Sequence, residues 1–281
     1  MTLFNSFIEE LPLILFTVIA QGAVGLSFLY SLNSGVLLSH PESDHKKFAI
    51  IFLAFTLLGM LISVFHLGDP FHAFYMITRI FGFTQNNIYV ISWLPLEIVG
   101  LGAMLLFGLI IFFRNSKSAI LLLPIIGFAM LIAMSNIYGS MAHTIPTWNL
   151  GLTLLLFFSS ALLVGSFAYM AFFNKNITLL SINIALVGFI FFTLSLFLYS
   201  YYLGNLKLDF IHNPFDLADG YYAKLIGWGI VLNGLSLILV FISRSTKNTF
   251  LPVIAFLCSF IGILLTRVIF YGLIVSNIFL G

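Results

Sequence analysis

Charge is what this sequence has least of. Only 7% of its 281 residues are Asp, Glu, Lys or Arg against 61% hydrophobic, and eleven bases with nine acids leave a formal charge of +2. A soluble domain carries about 25% charged residues, so this chain has too little polar surface to face water on all sides. Cysteine is nearly absent as well. A lone Cys258 excludes a disulfide framework, a structural zinc site and any Fe–S cluster held by this chain alone. There is no basic stripe for nucleic acid. Disorder is ruled out by 33 Phe combined with so little charge. What is left is a polytopic membrane protein.

Long apolar runs are what the sequence has in abundance. A bilayer core needs about 20 mostly apolar residues as helix. Eight runs meet that length, over residues 11–32, 48–65, 94–113, 120–138, 150–173, 177–200, 221–242 and 251–280. Helices are required because backbone groups in lipid must pair within their own segment. The short alternating segments of a β-barrel are not seen. The expected fold is an all-α bundle of eight transmembrane helices, forming one membrane domain over residues 1–281. Segments joining spans 1–2, 3–4, 5–6 and 7–8 hold seven bases and two acids, a balance of +5, and the other side holds four bases and seven acids, −3. The basic side is expected to be cytoplasmic, which puts both termini outside.

The remaining polar residues gather toward that outer side: His66, His72, His143 and His212, with Trp93, Trp148 and Trp228. Glu97 is the sharpest signal. It follows Trp93-Leu94-Pro95-Leu96 and opens the third span, where Pro fits a first helical turn. One reading makes it a partner of the positive helix end. The other makes it a proton acceptor held out of water, since ionisable groups at membrane depth are functional by default. His66 closes the second span before Leu67-Gly68-Asp69-Pro70, on the same side as Glu97. An imidazole beside a carboxylate suits a substrate that must lose protons. Arg79 lies in the same connection, as a site residue or as a contact for lipid phosphate.

Arg267 sits inside the last span, where a charge costs about 2.5–3.5 kcal/mol on insertion scales. It is expected to pair with carbonyls or with an acid, for which Glu97 is a candidate, or to snorkel outward. Pro146-Thr147-Trp148-Asn149 reads as a turn, an interfacial Trp anchor and an Asn N-cap. Gln21, Asn183 and Asn233 are expected to hydrogen-bond between helices, and Ala161-xxx-Gly165 is an unspecific small-residue contact. His143 with His66 as axial haem ligands has only one outer pair to rest on.

Together these patches resemble the membrane-anchor subunit of bacterial dimethyl sulfoxide reductases. The family's His-Leu-Gly-x-Pro, Arg and Ser-x-Leu-x-x-Glu-Ile are matched by His66-Leu67-Gly68-Asp69-Pro70, Arg79 and Ser92-Trp93-Leu94-Pro95-Leu96-Glu97-Ile98. Pro146-Thr147-Trp148-Asn149 resembles the loop before span 5, and Arg267-Val268-Ile269-Phe270-Tyr271 resembles the C-terminal Arg-x-x-Phe-Tyr. Two departures stand out. His72 occupies a place where the family often has Arg, and Gln85-Asn86-Asn87 lengthens the interval from Arg79 to Ser92.

The resemblance implies a quinol-oxidising anchor in a bacterial inner membrane, working in anaerobic respiration. An Fe–S electron-transfer subunit and a molybdopterin catalytic subunit would dock on its outer face, while the anchor itself would hold no haem, metal or cluster. It further implies that His66 hydrogen-bonds a menaquinol oxygen, that Glu97 takes up a proton, and that Arg79 and Arg267 position the ring or the cluster subunit. Three rivals remain at this stage. One is an anchor for a polysulfide, thiosulfate or selenate reductase. Another is a non-redox solute transporter, which predicts polar lining across the membrane. The third is a di-haem cytochrome b subunit.

Overall fold

The apolar runs form helices that extend beyond them. In a computed structural model, the described residues are 3–33, 43–66, 83–85, 88–90, 92–173, 177–206, 214–218 and 220–273. Among them are eight helices long and apolar enough to cross a membrane: α1 (Leu3–Asn33), α2 (Ser43–His66), α3 (Trp93–Arg114), α4 (Lys117–Ser140), α5 (Leu150–Phe172), α6 (Leu179–Asn205), α7 (Tyr222–Thr246) and α8 (Leu251–Gly272). The expected all-helical membrane bundle is what the chain forms. A 3-10 turn, Pro214–Ala218, precedes α7.

Most helix ends lie outside the apolar runs, although α5 stops at Phe172 and α6 and α7 start at Leu179 and Tyr222, inside their runs. α1 starts at Leu3 rather than residue 11 and carries Pro12 inside it. α6 and α7 each run four or five residues past the expected ends at 200 and 242. Hydropathy marks where lipid begins, whereas a helix continues until a cap stops it. The described part of the last helix ends at Gly272, and the expected extension to 280 lies outside the described residues. One element was not anticipated. Between α2 and α3, strands β1 (Phe83–Gln85) and β2 (Ile88–Val90) pair antiparallel, with Phe83 opposite Val90 and Gln85 opposite Ile88.

Two helices form the centre. α1 packs against α2, α4, α5 and α8, and α5 against α1, α4, α6 and α8. The most apolar stretch of α1 is 83% buried against 28% for α2, α3 and α7, so α1 is a core helix and those three face outward. Phe113, Ile190, Phe197 and Ile238 are exposed, an outer surface suited to acyl chains and not to water.

Lipid gives helices no hydrophobic reason to associate, so close backbone approach and polar bonds must hold them. The α1–α5 crossing uses Gly25 against Ala161 and Gly165. A Cβ on Gly25 would stand 1.8 Å from the Ala161 carbonyl oxygen, and one on Gly165 would stand 2.3 Å from the Gly25 Cα. The small-residue pair read as unspecific in the sequence is therefore the central contact of the bundle. α7 and α8 are joined by polar bonds. Ser259 Oγ donates to Asn233 Oδ1 at 2.6 Å, and Ser236 Oγ donates to the Ala255 carbonyl at 2.8 Å.

Contacts define the two ends of the bundle. At one end Tyr30 and His45 share a 2.7 Å hydrogen bond, Thr178 donates to Asn33 Oδ1 at 3.0 Å, and Lys47 Nζ donates to the Phe172 carbonyl at the end of α5. At the other end Thr147 Oγ1 donates to the Leu273 carbonyl at 2.7 Å, and Tyr202 Oη donates to the Pro146 carbonyl at 2.7 Å. The end of α2 and the start of α3 belong to this second end by the direction in which the helices run.

Candidate functional site

Glu97 is carried on α3, whose N-cap Ser92 accepts no capping bond through its hydroxyl. Trp93 starts the helix, so Pro95 is its third residue, a position that needs no intrahelical N–H. Glu97 is the fifth. That corrects the expectation that it opens the span. The field of a helix end fades within the first turn, and Glu97 lies beyond it. Its side chain is 5% exposed, and among the described residues no hydrogen bond reaches it. A carboxyl placed so deep needs a partner or a proton, and a place beyond the first turn weakens the helix-end reading.

Among the described residues Arg267 on α8 is the largest fully buried side chain. It does not pair with Glu97, nor does it snorkel. Its Nη2 donates to Gln21 Oε1 of α1 at 2.8 Å and to Ser160 Oγ of α5 at 3.0 Å. The guanidinium carbon lies 4.2 Å from the centre of the Phe157 ring and 5.8 Å from that of Phe270. The neutral oxygens were reachable because α1 and α5 approach so closely. Nε and Nη1 have no partner among the described residues. A buried donor without an acceptor costs about 1–3 kcal/mol, and more when charged.

Beside the Arg267 site stands a pair of tyrosines, both packed on Phe270, of which sequence reasoning quoted only Tyr271. Tyr271 Oη donates to Tyr138 Oη at 2.8 Å, joining the last turns of α8 and α4. Both tyrosines lie within electrostatic reach of Glu97 and of Arg267. Tyr271 lay within the Arg267–Tyr271 patch, whereas the only signal of Tyr138 was a phenol at a helix end, which membrane proteins use widely at interfaces.

The loop before α5 closes this cluster from the side. Asn149 caps α5 by accepting from the Leu152 N–H at 3.2 Å, as expected. Trp148 is not an interfacial anchor. It is 6% exposed, its Nε1 donates to the Phe270 carbonyl at 3.1 Å, and its ring stacks on Phe270 at 6.0 Å and 16°. Tyr138 meets the edge of Trp148 at 5.0 Å. The two patches, Pro146-Thr147-Trp148-Asn149 and Arg267-Val268-Ile269-Phe270-Tyr271, are thus one structural unit.

The other expected residues divide. Gln21 and Asn233 do bond between helices. Asn183 does not. It is exposed on α6 and lines an apolar groove with Phe28, Phe128, Phe158, Leu162 and Ile184. His143 is exposed in the turn after α4. His66 is the last residue of α2, but its side chain lies outside the described residues, as do Arg79, His72 and His212.

Residues 4–273 match the family model described as DMSO reductase anchor subunit (DmsC). The sequence is 25% identical over 288 residues to a Haemophilus influenzae protein named as the C subunit of anaerobic dimethyl sulfoxide reductase, covering 96% of both. It is 26% identical over 293 residues to an Escherichia coli protein named as the YnfH subunit of anaerobic dimethyl sulfoxide reductase, covering 94% of this protein and 95% of that one.

Proposed function

Because this chain belongs to the DMSO reductase anchor subunit family, we propose that it is the quinol-oxidising membrane anchor of a dimethyl sulfoxide reductase complex. The anchor role itself follows from the family and the eight apolar helices. Quinol chemistry is the further step, and one observation supports it above the rest: a buried carboxyl, Glu97, without a bonding partner among the described residues and near the Tyr138–Tyr271 pair. A lipid-soluble donor reaches such a site from the membrane, and a water-soluble one does not.

In this reading menaquinol binds at the bundle end where α2 finishes and α3 begins. That end faces the outside of a bacterial inner membrane, as the charge balance of the connections argues, and both termini share that side. His66 hydrogen-bonds one quinol oxygen and takes its proton. Glu97 takes the proton of the other. Arg79 and Arg267 position the ring. Two electrons leave to an Fe–S subunit docked on the outer face, and from there to a molybdopterin subunit that reduces the terminal acceptor. The protein holds a single Cys, so the clusters belong to the partners.

The test is steady-state oxidation of a menaquinol analogue by the assembled complex. Glu97→Gln and His66→Ala are expected to lower turnover by about 10²-fold or more, the scale of a lost proton acceptor, while the partner subunits still co-purify with the membrane. Wild-type turnover in both variants would refute the reading.

A further inference from the structure

Asn183 is exposed on the outer surface of α6, and no hydrogen bond reaches its amide among the described residues. Its surroundings are apolar. A groove of about 480 Å³ runs between α4 and α6, walled by Asn183, Val187 and Leu162 over a floor of three rings. Phe28 meets Phe128 edge-on at 5.3 Å, and Phe128 stacks on Phe158 at 5.5 Å and 13°. These rings come from α1, α4 and α5, so the core helices fix the floor, while Val187 on the wall stays exposed. An amide that faces hydrocarbon without a partner is costly. An occupant that brings an acceptor relieves that cost.

The groove also leads toward bases. α4 and α6 both begin at the bundle end where Thr178 bonds Asn33. Lys117, the first residue of α4, lies eleven residues before Phe128. Eleven residues are about three helical turns, so the two share one face of α4, with exposed Leu121 between them. Arg114 ends α3 on the other side of a two-residue turn. Both bases are exposed, and neither meets an acid among the described residues. Asn183 is the fifth residue of α6, about 6 Å into the helix. The headgroup layer of a bilayer is roughly 5–7 Å deep on each side. A base at a helix start and an amide one turn deeper match a phosphate and the ester carbonyl beneath it.

We propose that this groove is a binding site for an anionic phospholipid. One acyl chain lies on the Phe28, Phe128 and Phe158 floor, a glycerol ester carbonyl accepts from the Asn183 amide, and the phosphate meets Lys117 with Arg114 beside it. An isoprenoid tail would fill the groove but use neither the amide nor the bases. A zwitterionic headgroup would bring a cation of its own beside the two already there. The site is at the opposite end of the bundle from Glu97, so it does not depend on the quinol reading.

Native mass spectrometry of the assembled complex, delipidated in detergent, tests this, with dioleoyl phosphatidylglycerol or dioleoyl phosphatidylcholine titrated in. The wild type is expected to bind phosphatidylglycerol about tenfold or more tightly than phosphatidylcholine at its tightest site. Lys117→Gln is expected to cut that preference about fivefold, the worth of one base near an anionic surface, and to leave phosphatidylcholine binding unchanged. Asn183→Leu is expected to weaken both lipids about threefold, the size of a hydrogen bond in a membrane. Its thermal midpoint in lipid-free detergent is expected at or above that of the wild type. Val187→Trp fills the groove and is expected to abolish the tight site for both lipids. All three side chains are exposed, so the variants keep the packed core. Equal binding of the two lipids by the wild type overturns the proposal. So does an absence of effect from Lys117→Gln and Asn183→Leu, or displacement of bound phosphatidylglycerol by a menaquinone with a long isoprenoid tail.

Discussion

Trp148 and Phe270 are fastened twice, by a hydrogen bond from the indole Nε1 to the Phe270 carbonyl at 3.1 Å and by ring stacking at 6.0 Å. The bond locks the loop before α5 onto the C-terminal end of α8, whose last two turns carry Arg267 and Tyr271. Trp148→Phe removes the donor and keeps most of the ring contact. Its loss is expected to cost about 1–2 kcal/mol, seen as a thermal midpoint of the purified anchor complex a few degrees below wild type. An unchanged midpoint would show that the stacked rings suffice.

The α1–α5 crossing leaves no room for a side chain. At Gly165 a Cβ would lie 2.1 Å from the Gly25 carbonyl carbon, and backbone does not move aside as a flexible side chain does. Gly165→Val is expected to abolish accumulation of the folded anchor in membranes. Gly102, with nothing within 4 Å of its added Cβ, serves as control. Gly102→Ala is expected to accumulate at or above the wild-type level, because Ala is the better helix former by about 1 kcal/mol. Immunoblots of membrane fractions distinguish the two, and normal levels of Gly165→Val would contradict the packing.

Polar residues inside spans are not equivalent, and Asn233 and Asn183 show it. Asn233 accepts from Ser259 at 2.6 Å across the α7–α8 seam. A double-mutant cycle of Asn233→Ala and Ser259→Ala is expected to return a coupling of about 0.6 kcal/mol, the usual size of such bonds in membranes. Asn183 faces an apolar groove, so Asn183→Leu is expected to be neutral or mildly stabilising in the same thermal assay. A marked loss of stability there would reveal a partner for the amide.

The sequence carried the span count and the membrane setting, because a bilayer imposes a length and a composition that no local packing can change. It also singled out Glu97 and Arg267, since charge in a hydrocarbon setting is rare enough to be noticed without a structure. Position within a turn was less legible. Trp93 rather than Leu94 begins α3, and that moves Glu97 out of the helix-end field. Tyr138 went unread because a Tyr at a helix end looks the same whether it faces lipid headgroups or a second phenol. The hairpin of β1 and β2 was hidden in a connection considered for its charged and motif residues, although Thr84, Ile88, Tyr89 and Val90 are residue types that favour strands.

Hydropathy and the scarcity of charge by themselves determined that this is a greasy membrane protein of eight spans. Which groups meet inside it was decided by the fold alone. Arg267 finds Gln21 and Ser160, 246 and 107 residues away in the chain, because glycine lets α1 and α5 touch at their backbones. A linear pattern records the cost of burying a charge but not the identity of the neighbours that meet it, since those arrive from other helices through packing.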